Sequence, residues 1–294
     1  MKNKKSVFKG VATALITPFK NGEIDFESLG RLIDFQIDNG AQAICVLGTT
    51  GEASTVSENE RYDIIAFARR KIAGRVPLIV GSGTNNTEVS LRYSKTALAL
   101  GADALLLVSP YYNKASARGI CEHYLKIAKG VDLPIILYNV PSRTGVSIPI
   151  SVYKELGGIE SIVGIKEASG NFSYLCEILD TCGDFFDVYC GNDDLTLPTL
   201  ALGGSGVISV CSNIVPCQMA ELCNAFFDNN IALARGIQLG LNELIKELFA
   251  QVNPIPIKCA CSLMGMCENE LRLPLCASER EKELMQVLKK YALI

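Results

Sequence analysis

The chain has 294 residues, a length that fits one α/β barrel plus an extension, a class that often forms a single domain. Its charged fraction of 20% and net charge of −3 are ordinary, and its Lys and Arg residues form no basic stripe, which argues against nucleic acid as a partner. The basic start, residues 1–5, precedes a short strand-like run that Pro18 interrupts, so we expect no signal or membrane segment and a cytoplasmic protein.

Eight segments rich in Val, Ile, Leu and Ala recur along the chain, and amphipathic stretches separate most of them. We predict strands at 11–19, 41–49, 77–83, 104–110, 134–141, 162–169, 186–192 and 206–213. We predict helices at 26–39, 58–72, 88–100, 118–129, 150–156 and 174–181. Because a parallel strand can return only through a crossover, this alternation implies βα units and a parallel sheet.

Strands that are apolar along their whole length are buried on both faces, and eight of them favour a closed (β/α)8 (TIM) barrel. A doubly wound sheet is the alternative, but no strand leads into a G-x-G-x-x-G turn. We therefore predict an α/β barrel over 1–215. The remaining residues, 216–294, are predicted to form the closing barrel helix and a C-terminal helical appendage, with breaks at 229–230, 253–256 and 273–274.

The chain contains 12 cysteines but no C-x-x-C pair, so we expect reduced thiols. Cys45, Cys190 and Cys211 fall in apolar runs and are predicted to be small core side chains. Four further cysteines cluster near the C-terminus with a spacing that fits no common zinc pattern, so we expect no metal. This cluster comprises Cys259, Cys261, Cys267 and Cys276.

The sixth predicted strand carries a lysine, Lys166, in an otherwise apolar, β-branched run. Taken alone, Lys166 is most simply a surface residue that finishes a strand. A buried lysine must instead reach a partner or be held as a neutral amine, the form that attacks carbonyl carbons. Because the active sites of these barrels lie at the carboxyl ends of the strands, the predicted fold favours the second interpretation.

The other predicted strand ends supply hydroxyls, small residues and one guanidinium. The single histidine, His123, lies beside Glu122 in a predicted helix and is expected at the surface, so neither a Ser-His-Asp triad nor a common zinc site can form.

A lysine imine with a ketone would act as an electron sink. Tyr138, on the neighbouring fifth strand, could then move protons with Thr49 as a relay, although Tyr138 could equally anchor a loop and Thr49 a turn.

Six motifs at these strand ends together resemble the dihydrodipicolinate synthase family. They are Gly-Thr-Thr-Gly-Glu at 48–52, Ser-Pro-Tyr-Tyr-Asn at 109–113, Tyr-Asn-Val-Pro-Ser-Arg-Thr-Gly at 138–145, Gly-Ile-Lys-Glu-Ala-Ser-Gly at 164–170, Gly-Asn-Asp-Asp at 191–194 and Gly-Val-Ile-Ser at 206–209. The resemblance covers essentially the whole chain. It implies condensation of pyruvate with L-aspartate 4-semialdehyde on a lysine Schiff base, without cofactor or metal, in a homo-oligomer that is a dimer of dimers.

The resemblance also implies a role for each matching residue. Lys166 corresponds to the Schiff-base lysine, and Tyr138, Thr49 and Tyr112 to a proton relay in which Tyr112 crosses a dimer interface. The matching substrate-binding residues are Thr50, Gly191 and Ile208 for pyruvate and Arg143 for the semialdehyde carboxylate.

A possible effector site follows from the same resemblance. Ser54, Asn85 and Tyr111 match positions of the lysine-binding cleft of inhibited relatives, but Glu58 and Arg61 stand in a region where such relatives often carry histidines. We therefore expect weak or absent inhibition by lysine.

Two alternatives remain open. N-acetylneuraminate lyase resembles the chain at 51–52, Tyr138 and Lys166, but it would need polar groups for a long hydroxylated tail, and only the segment 192–194 offers any. Thr49, Thr50 and Arg143 favour the synthase. The alternative from another class is a non-catalytic barrel that binds a keto acid.

Overall fold

The computed structural model describes residues 6–294, so the basic segment at 1–5 lies outside the described residues. Eight parallel strands form a closed barrel in which each strand pairs with the next along the chain and the last with the first. The barrel strands are β1 Gly10–Ala14, β2 Ala43–Val46, β3 Leu78–Gly81, β4 Ala104–Val108, β5 Ile135–Asn139, β6 Ile162–Glu167, β7 Asp187–Cys190 and β8 Gly206–Ser209. The predicted TIM barrel is confirmed, and the doubly wound sheet is excluded.

Several strands are shorter than the apolar runs that predicted them. In the first predicted run, 11–19, only residues 11–14 belong to β1, yet Leu15 and Ile16, which follow β1, are also buried. Phe19 is buried as well and begins a short antiparallel hairpin, Phe19–Lys20 with Glu23–Ile24. Burial therefore continues beyond the last residue of the strand, and hydrophobicity alone overestimates strand length.

Several helices begin at a side chain that caps them. Ser57 and Glu60 form a capping box at the start of the second helix, and Asn86 and Asn171 accept hydrogen bonds from the amides of later helices. The helices are α1 Phe26–Asp38, α2 Glu58–Ile72, α3 Thr87–Ala99, α4 Ala117–Gly130, α5 Pro141–Thr144, α6 Ile150–Leu156, α7 Phe172–Cys182, α8 Thr196–Ala201, α9 Pro216–Phe227, α10 Ile231–Gly240, α11 Asn242–Leu248, α12 Ile255–Leu263 and α13 Glu281–Lys290. Within residues 6–294, none of these helices has the length and apolar character needed to span a membrane.

The core has two parts. A large cluster fills the space between the strands and the outer helices, and a smaller one fills the barrel interior with small side chains such as Ala12, Ala43 and Cys45. Cys45, Cys190 and Cys211 are buried, as predicted, and all twelve cysteines are free thiols. Small interior residues leave room at the carboxyl ends of the strands for larger polar side chains.

His123 is not a surface residue, so that prediction was wrong. Its side chain is only 4% exposed, and Nδ1 lies 2.8 Å from Thr87 Oγ1 on the adjacent α3. Burial lowers the pKa of His123 to about 4. Position 123 lies on the same face of α4 as Ile120 and Ile127, which are buried, and this helical spacing is the signal that the neighbouring Glu122 obscured.

Candidate active site

Lys166 lies near the carboxyl end of β6, directly across the ladder from Tyr138 on β5. Its side chain is only 5% exposed, and Nζ lies 4.6 Å from the centroid of the Tyr138 ring. Within residues 6–294, no carboxylate pairs with this amine. The barrel thus presents an amine beside a phenol.

The residues that follow Tyr138 and Lys166 fix the two strands from outside the barrel. Glu167 accepts hydrogen bonds from Asn139 Nδ2 (2.8 Å) and from the Ser169 amide (2.6 Å), and Asn139 Oδ1 accepts one from the Ile148 amide. Burial raises the pKa of Glu167, although these hydrogen bonds oppose the shift. The sequence alone did not lead us to predict the pair formed by Asn139 and Glu167. The available signal was a carboxylate directly after a buried lysine.

A cavity of about 470 Å³ contains several of the predicted site residues. The described residues that line it include no aspartate or glutamate, but they do include two arginines and several hydroxyls. Such a lining suits ligands that carry carboxylates. The predicted residues that it brings together are Thr49, Ser54, Tyr111, Tyr138 and Arg143, and Arg61 joins them.

Lys166, Thr50, Gly191 and Ile208 do not line this cavity. Thr50 is buried, and its Oγ1 accepts a hydrogen bond from Asn253 Nδ2 at 3.0 Å. Ile208 is buried on β8. Gly191 packs so closely on the end of β6 that an added Cβ would lie 2.5 Å from the Cβ of Ala168, so only glycine fits there.

Tyr112 and Asn85 do not line the cavity. Tyr112 is 85% exposed, and its backbone adopts a left-handed conformation with a φ of 76°, which is strained for a residue other than glycine. The structure therefore separates the two tyrosines of the 109–113 motif, with Tyr111 at the cavity and Tyr112 directed into solvent.

The loop that carries Thr49 and Thr50 is anchored by the C-terminal appendage. Glu52 forms a fully buried ion pair with Lys258 of α12, and it also accepts a hydrogen bond from the Arg272 amide at 3.1 Å. Burial lowers the pKa of Lys258, and Glu52 opposes that shift. No motif pointed to these contacts, because the partners are about 200 residues apart in the sequence.

A larger groove of about 1290 Å³ lies at the opposite end of the barrel. Its lining includes Pro77, Pro134 and Ser161, which precede barrel strands. Because barrel enzymes place their chemistry at the carboxyl ends of the strands, the smaller cavity beside Tyr138 is the better candidate for the active site.

A closed (β/α)8 barrel, with a buried lysine on its sixth strand that has no carboxylate partner among the described residues and an arginine-lined cavity beside Tyr138 on the neighbouring strand, is typical of barrel lyases that act like class I aldolases. Comparison with known proteins narrows this class. Residues 7–291 match the model of the dihydrodipicolinate synthetase family, and the chain belongs to that family.

Relatives match along their whole length. The chain is 48% identical to the 4-hydroxy-tetrahydrodipicolinate synthase of Alkaliphilus oremlandii over 290 residues, which cover 98% of this chain and 100% of the relative. The crystal structure of dihydrodipicolinate synthase from Aquifex aeolicus superposes with a TM-score of 0.95 at 47% identity, covering 97% and 99% of the two chains. The Thermotoga maritima enzyme gives a TM-score of 0.96 at 45% identity, covering 98% and 100%.

Proposed function

We propose that the protein is a 4-hydroxy-tetrahydrodipicolinate synthase, which condenses pyruvate with L-aspartate 4-semialdehyde in the diaminopimelate route to lysine. The observation that carries this proposal is the buried Lys166, which has no carboxylate partner among the described residues and lies beside Tyr138 in a chain whose full-length relatives are named for this activity. Pyruvate and the semialdehyde are then its substrates.

In the proposed mechanism, the Lys166 amine attacks the ketone carbon of pyruvate, and loss of water gives an imine. The imine withdraws electrons, so the methyl group loses a proton and becomes an enamine. The enamine carbon attacks the aldehyde of the second substrate and forms the new C–C bond. The amino group of that substrate then displaces Lys166 from the imine, which closes the ring and frees the enzyme.

Protons must move at each of these steps, and Tyr138, whose ring centroid lies 4.6 Å from Lys166 Nζ, can both donate and accept one. Thr49 lines the same cavity and continues the proposed relay. Tyr112 completes it from a second subunit. Its exposure and strained backbone suit a side chain that inserts into a neighbouring protomer, so we propose a homo-oligomer built as a dimer of dimers.

Four residues are proposed to hold the substrates. Thr50, Gly191 and the backbone of Ile208 would bind pyruvate at the barrel end of the site. Arg143 lines the cavity, and its Nη2 donates to the Asn253 carbonyl at 2.9 Å, which leaves other N–H groups of the guanidinium free for the semialdehyde carboxylate.

The alternative, an N-acetylneuraminate lyase, is not favoured. Within the acidic segment that could have bound a hydroxylated tail, Asp193 is buried, and its Oδ2 already accepts hydrogen bonds from the amides of Val210 and Cys211. We further propose that the protein acts in the cytoplasm without cofactor or metal, and that 1–215 form the barrel core, with 216–294 as closing helix and appendage.

The proposed effector site differs from one that binds lysine. Arg61 lines the cavity with Ser54 and Tyr111, and Glu58 is paired with Arg92 instead of Arg61. In the part of the chain that the structure describes, Arg61 has no carboxylate partner. An uncompensated guanidinium repels the ammonium groups of lysine, and we propose weak or absent inhibition on this ground.

Sodium borohydride tests the Schiff base directly. With pyruvate present, reduction should add a stable mass to the peptide that contains Lys166, and a Lys166→Arg variant should gain none. The absence of an adduct on the wild-type protein would refute the mechanism and leave the non-catalytic barrel. A panel of aldehydes added after pyruvate then tests the second substrate, because faster turnover of a sugar aldehyde than of the semialdehyde would contradict the assignment.

A further inference from the structure

Asn253 belongs to none of the six motifs that resemble the family, yet it contacts two of the proposed substrate-binding residues. Its Nδ2 donates to Thr50 Oγ1 at 3.0 Å, and its main-chain carbonyl accepts a hydrogen bond from Arg143 Nη2 at 2.9 Å. The side chains of Thr50 and Asn253 are both buried. One residue of the appendage thus joins the loop after β2 to the loop after β5.

The chemistry of the amide fixes the direction of the first hydrogen bond. An amide nitrogen can only donate, so the Thr50 oxygen must accept, and the hydroxyl proton of Thr50 has to point elsewhere. A carboxylate is an acceptor only. A threonine whose oxygen accepts from Asn253 keeps its own proton available for an acceptor such as a carboxylate.

The appendage holds Asn253 against this loop. Glu52 follows Thr50 by two residues and forms the buried ion pair with Lys258, five residues after Asn253. The Arg272 amide donates to the second oxygen of the same carboxylate. Because these contacts connect the same two segments, Thr50 and Asn253 cannot separate without breaking a buried ion pair, which is strongly unfavourable.

We propose that Asn253 is a positioning residue: its amide turns the Thr50 hydroxyl toward pyruvate, and its carbonyl holds Arg143 ready for the carboxylate of the second substrate. This inference rests on the proposed function, since it takes the roles of Thr50 and Arg143 from it. Asn253 itself contacts neither the reacting atoms nor Lys166.

The test compares Asn253→Asp with Asn253→Ala by the pyruvate concentration that half-saturates borohydride trapping at Lys166. Aspartate keeps the shape but can only accept, so it would take the Thr50 proton and turn it away from pyruvate. We expect the half-saturating concentration to rise about tenfold or more in Asn253→Asp and about threefold in Asn253→Ala, where the hydroxyl can still rotate. The amount trapped at saturating pyruvate should not change.

A residue that only fills space predicts the opposite order, because aspartate preserves the packing better than alanine does. The same substitutions in a Thr50→Val background separate an effect through Thr50 from direct repulsion between the new carboxylate and pyruvate. We expect Asn253→Asp to add little in that background. An effect of equal size in both backgrounds would overturn the proposal, and Asn253→Ala completes the same cycle if the aspartate variant does not fold.

The outcome for the wild type distinguishes the two proposals. If wild-type protein gains no adduct, the proposed function fails, and the role of Asn253 fails with it. If Asn253→Asp and Asn253→Ala are both trapped with the wild-type half-saturation, only the inference about Asn253 is overturned.

Discussion

Replacing Lys258 by methionine should destabilise the protein more than any surface substitution of the same kind. Methionine preserves most of the aliphatic length of lysine, but it removes the ammonium, whose Nζ lies 4.2 Å from the centroid of the Phe19 ring. The larger loss is the cation that pairs with Glu52 among the described residues, because the Glu52 side chain is 1% exposed. Glu52 would keep only the Arg272 amide as a hydrogen-bond donor among its described contacts.

The expected loss of stability is about 3 to 5 kcal/mol, the usual consequence of leaving one partner of a buried ion pair uncompensated. Urea unfolding followed by circular dichroism measures it. Adding Glu52→Gln to Lys258→Met should restore most of the stability, because glutamine removes the buried charge and still accepts the hydrogen bond from Arg272. Lys126→Met is the matched control, since Lys126 pairs with Glu88 at an exposed site and its loss should leave the midpoint unchanged.

Two results would refute this reasoning. A Lys258→Met protein as stable as the wild type would mean that the pair contributes no more than an exposed one. A double variant no more stable than Lys258→Met would mean that the loss comes from packing or from the lost contact with Phe19, and not from the unpaired carboxylate. We also expect Lys258→Met to raise the KM for pyruvate, because Glu52 anchors the loop that carries Thr50.

Three further predictions follow from single side chains. Burial lowers the pKa of His123 to about 4 from 6.5, so between these pH values the unfolded chain binds more protons than the folded one. The free energy of unfolding should therefore fall by up to about 3 kcal/mol as the pH drops from 6.5 to 4. His123→Gln should flatten this pH dependence in urea titrations, and an unchanged dependence of the unfolding free energy on pH would contradict the prediction. Arg61→His should increase inhibition by lysine in rate assays, whereas strong inhibition of the wild type by millimolar lysine would exclude the repulsion argued above. Tyr138→Phe should lower kcat by about 100-fold or more while pyruvate trapping at Lys166 still reaches completion, and a wild-type kcat would remove Tyr138 from the relay.

The fold was predictable because its signals are local. Apolar runs of strand length alternate with amphipathic stretches, and capping residues such as Ser57 begin the helices, so each βα unit can be recognised within a few tens of residues. The same local evidence misjudged strand ends, since Leu15 is buried beyond the last ladder residue, and it misjudged His123, whose burial depends on a second helix.

The strand order also brings two candidate residues together. Tyr138 and Lys166 belong to consecutive strands, and consecutive strands of a barrel are neighbours, so their register could be inferred once the fold was assumed. Tyr112 shows the limit of such reasoning, because its proposed role depends on a second subunit and a single chain shows only an exposed, strained tyrosine.

Residues that support the candidate site from the C-terminal appendage could not be found this way. Asn253 and Lys258 meet Thr50 and Glu52 across more than 200 residues, and neither their spacing nor their residue type distinguishes them from other asparagines and lysines. Only a lysine with no exposed surface, opposite an equally buried glutamate, identifies the contact. This buried ion pair binds the appendage to the loop that carries Thr49 and Thr50. A shift of the appendage would therefore move that loop and change pyruvate binding before it affected Lys166, which lies on a barrel strand.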